Sequence, residues 1–173
     1  MKRYNYFSLQ TLTTFFILSF SAFSVWACEL KNTHLVPHKN GTVLDKQKNL
    51  TWMRCTLGQE WIADHCEGLS TRFPWWDLKK NVSTFNEEGG FNEKTDWRLP
   101  TKKELETLIE PTCFDPAINK TLFPLTAPSG YWASDVFNHS APKYAWLVFF
   151  LHGQAYFSDK SVDWFVRLVR DEK

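Results

Sequence analysis

The chain has 173 residues, 43% hydrophobic and 17% aromatic, with 20 Lys and Arg against 19 Asp and Glu. A formal net charge of +1 supplies no global field for nucleic acid or an acidic surface, so nucleic acid is not an expected partner. Aromatic content on this scale belongs to a chain that packs a core rather than to a disordered one.

Lys2 and Arg3 precede an uncharged apolar run over residues 15–25, and Val25-Trp26-Ala27 gives a small-x-small cleavage pattern. This is the layout of a secretory signal peptide over residues 1–27. The run is well short of the roughly 18 apolar residues that cross a bilayer, and nothing later in the sequence could do so. Residues 28–173 then make one exported domain, periplasmic or secreted to the cell surface, long enough for a real core.

Four cysteines follow: Cys28, Cys55, Cys66 and Cys113. An even count in an exported chain reads as two disulfides, with three connectivities open. A metal site would want close pairs such as Cys-x-x-Cys, and these spacings are all longer than that. We expect Cys55–Cys66, closing a short loop around Trp61, and Cys28–Cys113, tying the mature N-terminus to mid-chain. Cys28 has a rival use as the lipidated first residue of a lipoprotein. Trp26 before the cleavage site weighs against it, and lipidation would leave Cys113 an odd thiol.

Asn40-Gly41 is a hairpin-type turn signal, and strand candidates at residues 42–44 and 50–53 lie on either side of the polar stretch 45–49. Residues 74–88 read as a helix, with Trp75, Leu78, Val82 and Phe85 on one stripe and Gly89-Gly90 as its stop. Residues 101–109 read as a second, shorter helix. It opens on a capping box from Thr101 to Glu104, carries Leu105, Leu108 and Ile109 on one face, and ends at Pro111. Residues 111–145 are rich in Pro, Thr, Ser and Asn and read as long loops. Strands are expected at residues 145–151, 154–157 and 162–170, with turns at His152-Gly153 and Asp159-Lys160. Strands, two helices, loops and an antiparallel meander make an α+β domain.

No catalytic motif stands out. The Gly-x-Ser-x-Gly elbow, His-Glu-x-x-His and the phosphate loop are all missing, and the histidines are scattered. The expected role is therefore non-catalytic, with no cofactor and no metal. Long loops often carry recognition, so residues 112–143 are the expected binding region. There Tyr131 and Trp132 would stack on an apolar face while Ser134, Asp135 or Asn138 supply hydrogen bonds. Arg98, Lys102 and Lys103 form a basic cluster that could bind an anionic polymer, and a solvated charged face is its plainer reading. The alternatives are an enzyme acting on an envelope polymer and a structural or assembly subunit of a surface complex.

Several segments together carry a resemblance. They are Gly41-Thr42-Val43-x-Asp45, residues 50–55, Gly58-Gln59-x-Trp61, Cys66-x-Gly68, and above all Asp96-Trp97-Arg98-Leu99-Pro100-Thr101-x-x-Glu104-Leu105. Residues 116–119, Phe123-Pro124, Tyr131-Trp132-Ala133-Ser134 and the closing residues 166–170 continue it. The chain resembles the Lcl C-terminal domain family, named for the C-terminal domain of a Legionella collagen-like protein. That resemblance implies a C-type-lectin-like fold related to the formylglycine-generating enzyme, a bacterial envelope setting, and a glycan or envelope protein as ligand. It implies no mechanism, because nothing after Cys113 is a cysteine. Where calcium-dependent lectins place their ion ligands, this chain has Glu110-Pro111-Thr112 and Trp132-Ala133-Ser134, which lack most of the oxygens calcium needs.

Overall fold

The computed structural model describes residues 28, 30–138 and 140–172. The signal peptide expected over residues 1–27 lies outside the described residues. Among those described, no helix is long and apolar enough to cross a membrane.

A hairpin of β1 (Leu35–Pro37) and β2 (Thr42–Asp45) turns at Asn40-Gly41, as the sequence signals, and β3 (Leu50–Met53) pairs antiparallel with β2. The last strand, β11 (Val169–Asp171), pairs with β3 and completes a four-stranded sheet in the order β1-β2-β3-β11. Strands β4 (Glu60–Ile62) and β5 (His65–Glu67) form a small separate hairpin clasped by the Cys55–Cys66 disulfide. Next come β6 (Arg72–Pro74), helix α1 (Trp75–Glu87) and helix α2 (Lys102–Glu106). Strands β7 (Gly130–Val136), β8 (Tyr144–Phe149), β9 (Gln154–Asp159) and β10 (Asp163–Phe165) join β6 in a five-stranded sheet, order β6-β10-β7-β8-β9. The second disulfide is Cys28–Cys113, so both expected pairings are the ones formed, and the sulfur that lipidation would claim is spent on a bridge.

Two strand assignments differ from the sequence reading. The stretch read as loop over residues 111–145 contains β7, the middle strand of the larger sheet. Tyr131, Trp132 and Ala133 are all 0% exposed. Successive strand residues point to opposite faces. Tyr131 packs with Leu105, Leu108, Phe123 and Phe150 on one side, and Trp132 packs with Leu78, Val82, Trp97 and Leu168 on the other. A strand covered on both faces loses the polar–apolar alternation that reveals strands in a sequence. The expected strand over residues 162–170 is likewise two strands. Residues 166–168 carry the chain from the five-stranded sheet to the four-stranded one, with Arg167 fully buried at the crossing.

The helices follow their local chemistry. In α1, Leu78 and Val82 of the expected stripe are buried. Its first amide, that of Trp75, donates to the Lys160 carbonyl at 2.8 Å. In α2 the capping box is complete: Glu104 N–H donates to Thr101 Oγ1 at 3.2 Å and Thr101 N–H donates to Glu104 Oε2 at 2.7 Å. The α-helical part is shorter than the expected 101–109. Beyond it Thr107, Leu108 and Ile109 bond three residues back, the tighter geometry common at helix ends. Buried Glu110 then receives the Lys31 and Asn32 amides at 2.7 and 3.1 Å, docking the N-terminal segment beside the Cys28–Cys113 bridge.

Candidate ligand-binding cleft

The residues singled out in residues 112–143 do not assemble into a site. Tyr131 and Trp132 are core residues with no face left for a ligand. Their polar atoms are also committed: the Tyr131 hydroxyl bonds Thr56 Oγ1 at 2.9 Å, and Trp132 Nε1–H donates to the Phe73 carbonyl at 2.9 Å. Asp135 accepts the Lys102 amide at 2.6 Å, so it serves the start of α2. Ser134 and Asn138 are exposed, the latter folded back on the Ser140 amide at 2.9 Å.

The basic cluster is also differently employed. Arg98 forms a fork on Glu104, at 2.9 and 3.0 Å, and reaches Asp171 at 2.7 Å. Lys102 pairs with Glu106 at 2.8 Å and lies over the Trp146 ring. With two of the three cations neutralised, only exposed Lys103 keeps the character expected of an anion site. The signature Asp96 to Glu104 is therefore architectural. Arg98 ties the α2 cap to β11, Asp96 accepts from Arg170 at 2.8 Å, and Trp97 is buried. In that signature, Leu99 packs against the core and Pro100 is buried.

This ion network has a pH signature. Burial opposes the Glu104 carboxylate, but its bonds from Arg98 and Thr101 outweigh that and hold its pKa below the ordinary value. Hydrogen bonding from Arg98 lowers the Asp171 pKa in the same way. A depressed carboxylate pKa gives stability that is present above the unfolded value and is lost as pH falls through the folded one. Stability should therefore be flat near neutrality and fall below about pH 4 to 5, the range where unfolded carboxylates titrate. In an Arg98→Met protein, denaturant midpoints across that range should fall less steeply. An unchanged slope would show that Arg98 is not what holds these carboxylates ionised.

A cleft of about 640 Å³ lies elsewhere, between α1 and the disulfide-clasped hairpin. One wall is the chain from Leu57 to Trp61, and the other is a face of α1 bearing Asn81, Thr84 and Phe85, continued by Glu88 at the helix's C-cap. Those positions are spaced i, i+3, i+4 and i+7, which places them on one side of a helix. Met53, Phe73 and Phe91 supply apolar surface. Among the described residues, no hydrogen bond or ion pair engages the side chains of Glu60, Asn81, Thr84 or Glu88, so all four are available to a ligand.

Trp61 is held firmly in this wall. Its Nε1–H donates to the Lys39 carbonyl at 2.9 Å, and the Arg54 guanidinium sits 4.1 Å from its ring centroid. It lies against the bare α-carbon of Gly41, where a Cβ would come within 2.4 Å of the indole. Gly41 also has φ +83°, a conformation that glycine adopts without penalty. The Asn40-Gly41 turn thus does two jobs, reversing β1 into β2 and seating the cleft tryptophan.

The parts of this cleft are legible in the sequence, but their joining is not. Trp61 falls inside the Cys55–Cys66 loop, and α1 carries its apolar stripe. The polar side of that helix was the available signal, because Asn81, Thr84 and Glu88 follow the same period. What no sequence pattern supplied was that the hairpin folds over against that side.

An α+β domain with two disulfides, one closing a short loop and one a long one, and an open cleft is the build of a disulfide-bonded module from an oxidising, extracytoplasmic compartment. A profile of the Lcl C-terminal domain family matches residues 41–170, and the chain belongs to that family. A comparison with curated proteins finds no match.

Proposed function

We propose that this domain is a non-catalytic binding module of the bacterial envelope, periplasmic or surface-exposed, and that it holds a carbohydrate in the cleft between α1 and the Cys55–Cys66 hairpin. The observation that carries this reading is the pairing of apolar ring surface with uncommitted polar side chains in one concavity. A pyranose offers an apolar face and a rim of hydroxyls, and needs that combination in a binding site. The lining includes Glu60 and Glu88 and no Lys or Arg, which favours neutral or amino sugars over sulfated or uronic ones. A C-type-lectin-like arrangement fits the same picture. N-terminal and C-terminal strands meet in one sheet, and the two disulfides pin the segments around them.

A second reading, an enzyme on an envelope polymer, draws on two carboxylates sharing the cleft, as glycoside hydrolysis requires. Glu60 and Glu88 are both exposed, whereas a catalytic acid is kept in an apolar pocket. Binding without turnover accounts better for their setting. A protein partner of the envelope would have to enter the same cleft.

A glycan array probed with the oxidised exported chain tests this. Binding should concentrate on neutral or hexosamine-containing oligosaccharides. Asn81→Ala combined with Glu88→Ala should weaken it at least about tenfold, the loss of one to two hydrogen bonds, with an unchanged circular dichroism spectrum. Binding confined to sulfated glycans, or undiminished in the double variant, would remove the cleft from consideration.

A further inference from the structure

A second concavity, of about 290 Å³, is lined by residues of β8, β9 and β10 of the larger sheet and shares no lining residue with the cleft beside α1. Its walls are aromatic: Phe149 from β8, Tyr156 from β9, Trp164 from β10, and the His152 ring. The His152 ring stacks on Phe149, 25° from parallel with centroids 5.5 Å apart, and the other two rings stand across it. Phe149 stands at 84° to Tyr156 with centroids 6.3 Å apart, and at 76° to Trp164 with centroids 5.8 Å apart. Tyr156 and Trp164 thus each stand nearly perpendicular to Phe149, which makes corners rather than a flat stacking platform.

The corner is built and held. Trp164 Nε1–H donates to Ser158 Oγ at 3.1 Å, and the Tyr156 hydroxyl bonds Gln154 Oε1 at 2.8 Å. Gly130 on β7 makes room for the indole, since a Cβ there would lie 2.9 Å from Trp164 Cε3. Gly130 is in ordinary extended backbone, so the missing side chain matters here for space alone.

With the Trp164 N–H and the Tyr156 hydroxyl already spent, the pocket offers a sugar few hydrogen bonds. No lysine or arginine lines it, so no fixed cation would repel a bound one. Aromatic faces carry negative potential and attract cations within about 6 Å of the ring centroid. The chain uses that attraction elsewhere, holding the buried Lys160 amine 4.1 Å from the Trp75 ring and 4.6 Å from the Trp76 ring.

We infer that Phe149, Tyr156 and Trp164 form an aromatic cage that takes a quaternary ammonium group, of the trimethylammonium type carried by choline and its esters. Such a head has an apolar rounded surface and a delocalised positive charge, and it asks for rings rather than hydrogen bonds.

The test is titration of the oxidised full chain at pH 8 with choline chloride, followed by the Trp164 indole resonance. Choline should saturate the site, and 3,3-dimethylbutan-1-ol, its uncharged isostere, should bind at least about tenfold more weakly if charge over the rings supplies the affinity. Tyr156→Ala, at an exposed position, should keep the fold and reduce choline affinity at least about tenfold. Gly130→Ala should do the same by displacing the indole. Equal affinity for the neutral isostere, no saturation by choline, or full affinity in folded Tyr156→Ala protein would each overturn the assignment. Choline phosphate and phosphatidylcholine vesicles, run beside free choline, separate a soluble ligand from a lipid headgroup.

Discussion

Replacing Arg167 by Met should destabilise the domain by about 3 to 5 kcal/mol, a large share of the roughly 5 to 15 that hold a typical domain together. Arg167 is 0% exposed and has no carboxylate partner among the described residues. Its guanidinium donates to the Met53 carbonyl at 2.9 Å, to the Arg54 carbonyl, to Thr126 Oγ1 at 2.7 Å and to Thr56 Oγ1 at 3.5 Å. The Phe123 ring lies 4.9 Å from its central carbon. Burial pushes the Arg167 pKa down, and proximity to Tyr131 partly offsets this.

Two effects of the substitution compete. Removing the cation relieves a desolvation penalty, which can make apolar replacements of buried ions neutral or better. That relief requires the partners to be replaced as well. Here two of the partners are backbone carbonyls, which no mutation can remove, and each would lose a charge-assisted bond in a dry interior. The loss therefore wins. Arg167→Lys separates charge from shape: an ammonium keeps the charge but cannot span four acceptors as the planar fork does. It should recover less than half of the loss. A Met variant as stable as the parent in denaturant unfolding would show that the sheet crossing at residues 166–168 does not depend on this side chain.

The Cys28–Cys113 bridge is the other expected large effect. It joins residues 85 apart, against 11 for Cys55–Cys66. Loop-closure entropy in the unfolded chain grows with the logarithm of that separation, giving about 4 to 5 kcal/mol for the long bridge and about 3 for the short one. The native state adds to the difference, because the segment after Cys28 is docked on buried Glu110 through the Lys31 and Asn32 amides. Cys28→Ser with Cys113→Ser should thus lower the unfolding midpoint further than Cys55→Ser with Cys66→Ser. The short bridge should matter more for binding, since its hairpin forms a wall of the cleft. Thermal unfolding of the two double variants, paired with array binding, separates these roles. Equal loss of stability with equal loss of binding would contradict the division.

Much of the scaffold was legible because local chemistry decided it. The Thr101–Glu104 capping box, the Asn40-Gly41 turn, the stripe of α1 and the oxidised state of the four cysteines all follow from residues near one another in sequence or from compartment chemistry. What escaped was decided by distant contacts. β7 hid because both its faces are covered, and that also turned Tyr131 and Trp132 from expected ligand contacts into core. Arg98 and Lys102 read as free cations because the carboxylates that neutralise them, Glu104, Glu106 and Asp171, look equally solvated in sequence. The cleft depends on a hairpin lying across a helix, a relation that no spacing encodes.

The most direct measurement is a nitrogen-15 spectrum of the oxidised chain titrated with the strongest array ligand, following the tryptophan indole N–H signals. Trp61, in the cleft wall, should shift and saturate with the ligand, while the Trp132 indole, sealed in the core on the Phe73 carbonyl, should stay in place. Shifts that spare Trp61 and the amides of α1 but gather over residues 112–143 would return recognition to the loops and contradict the cleft.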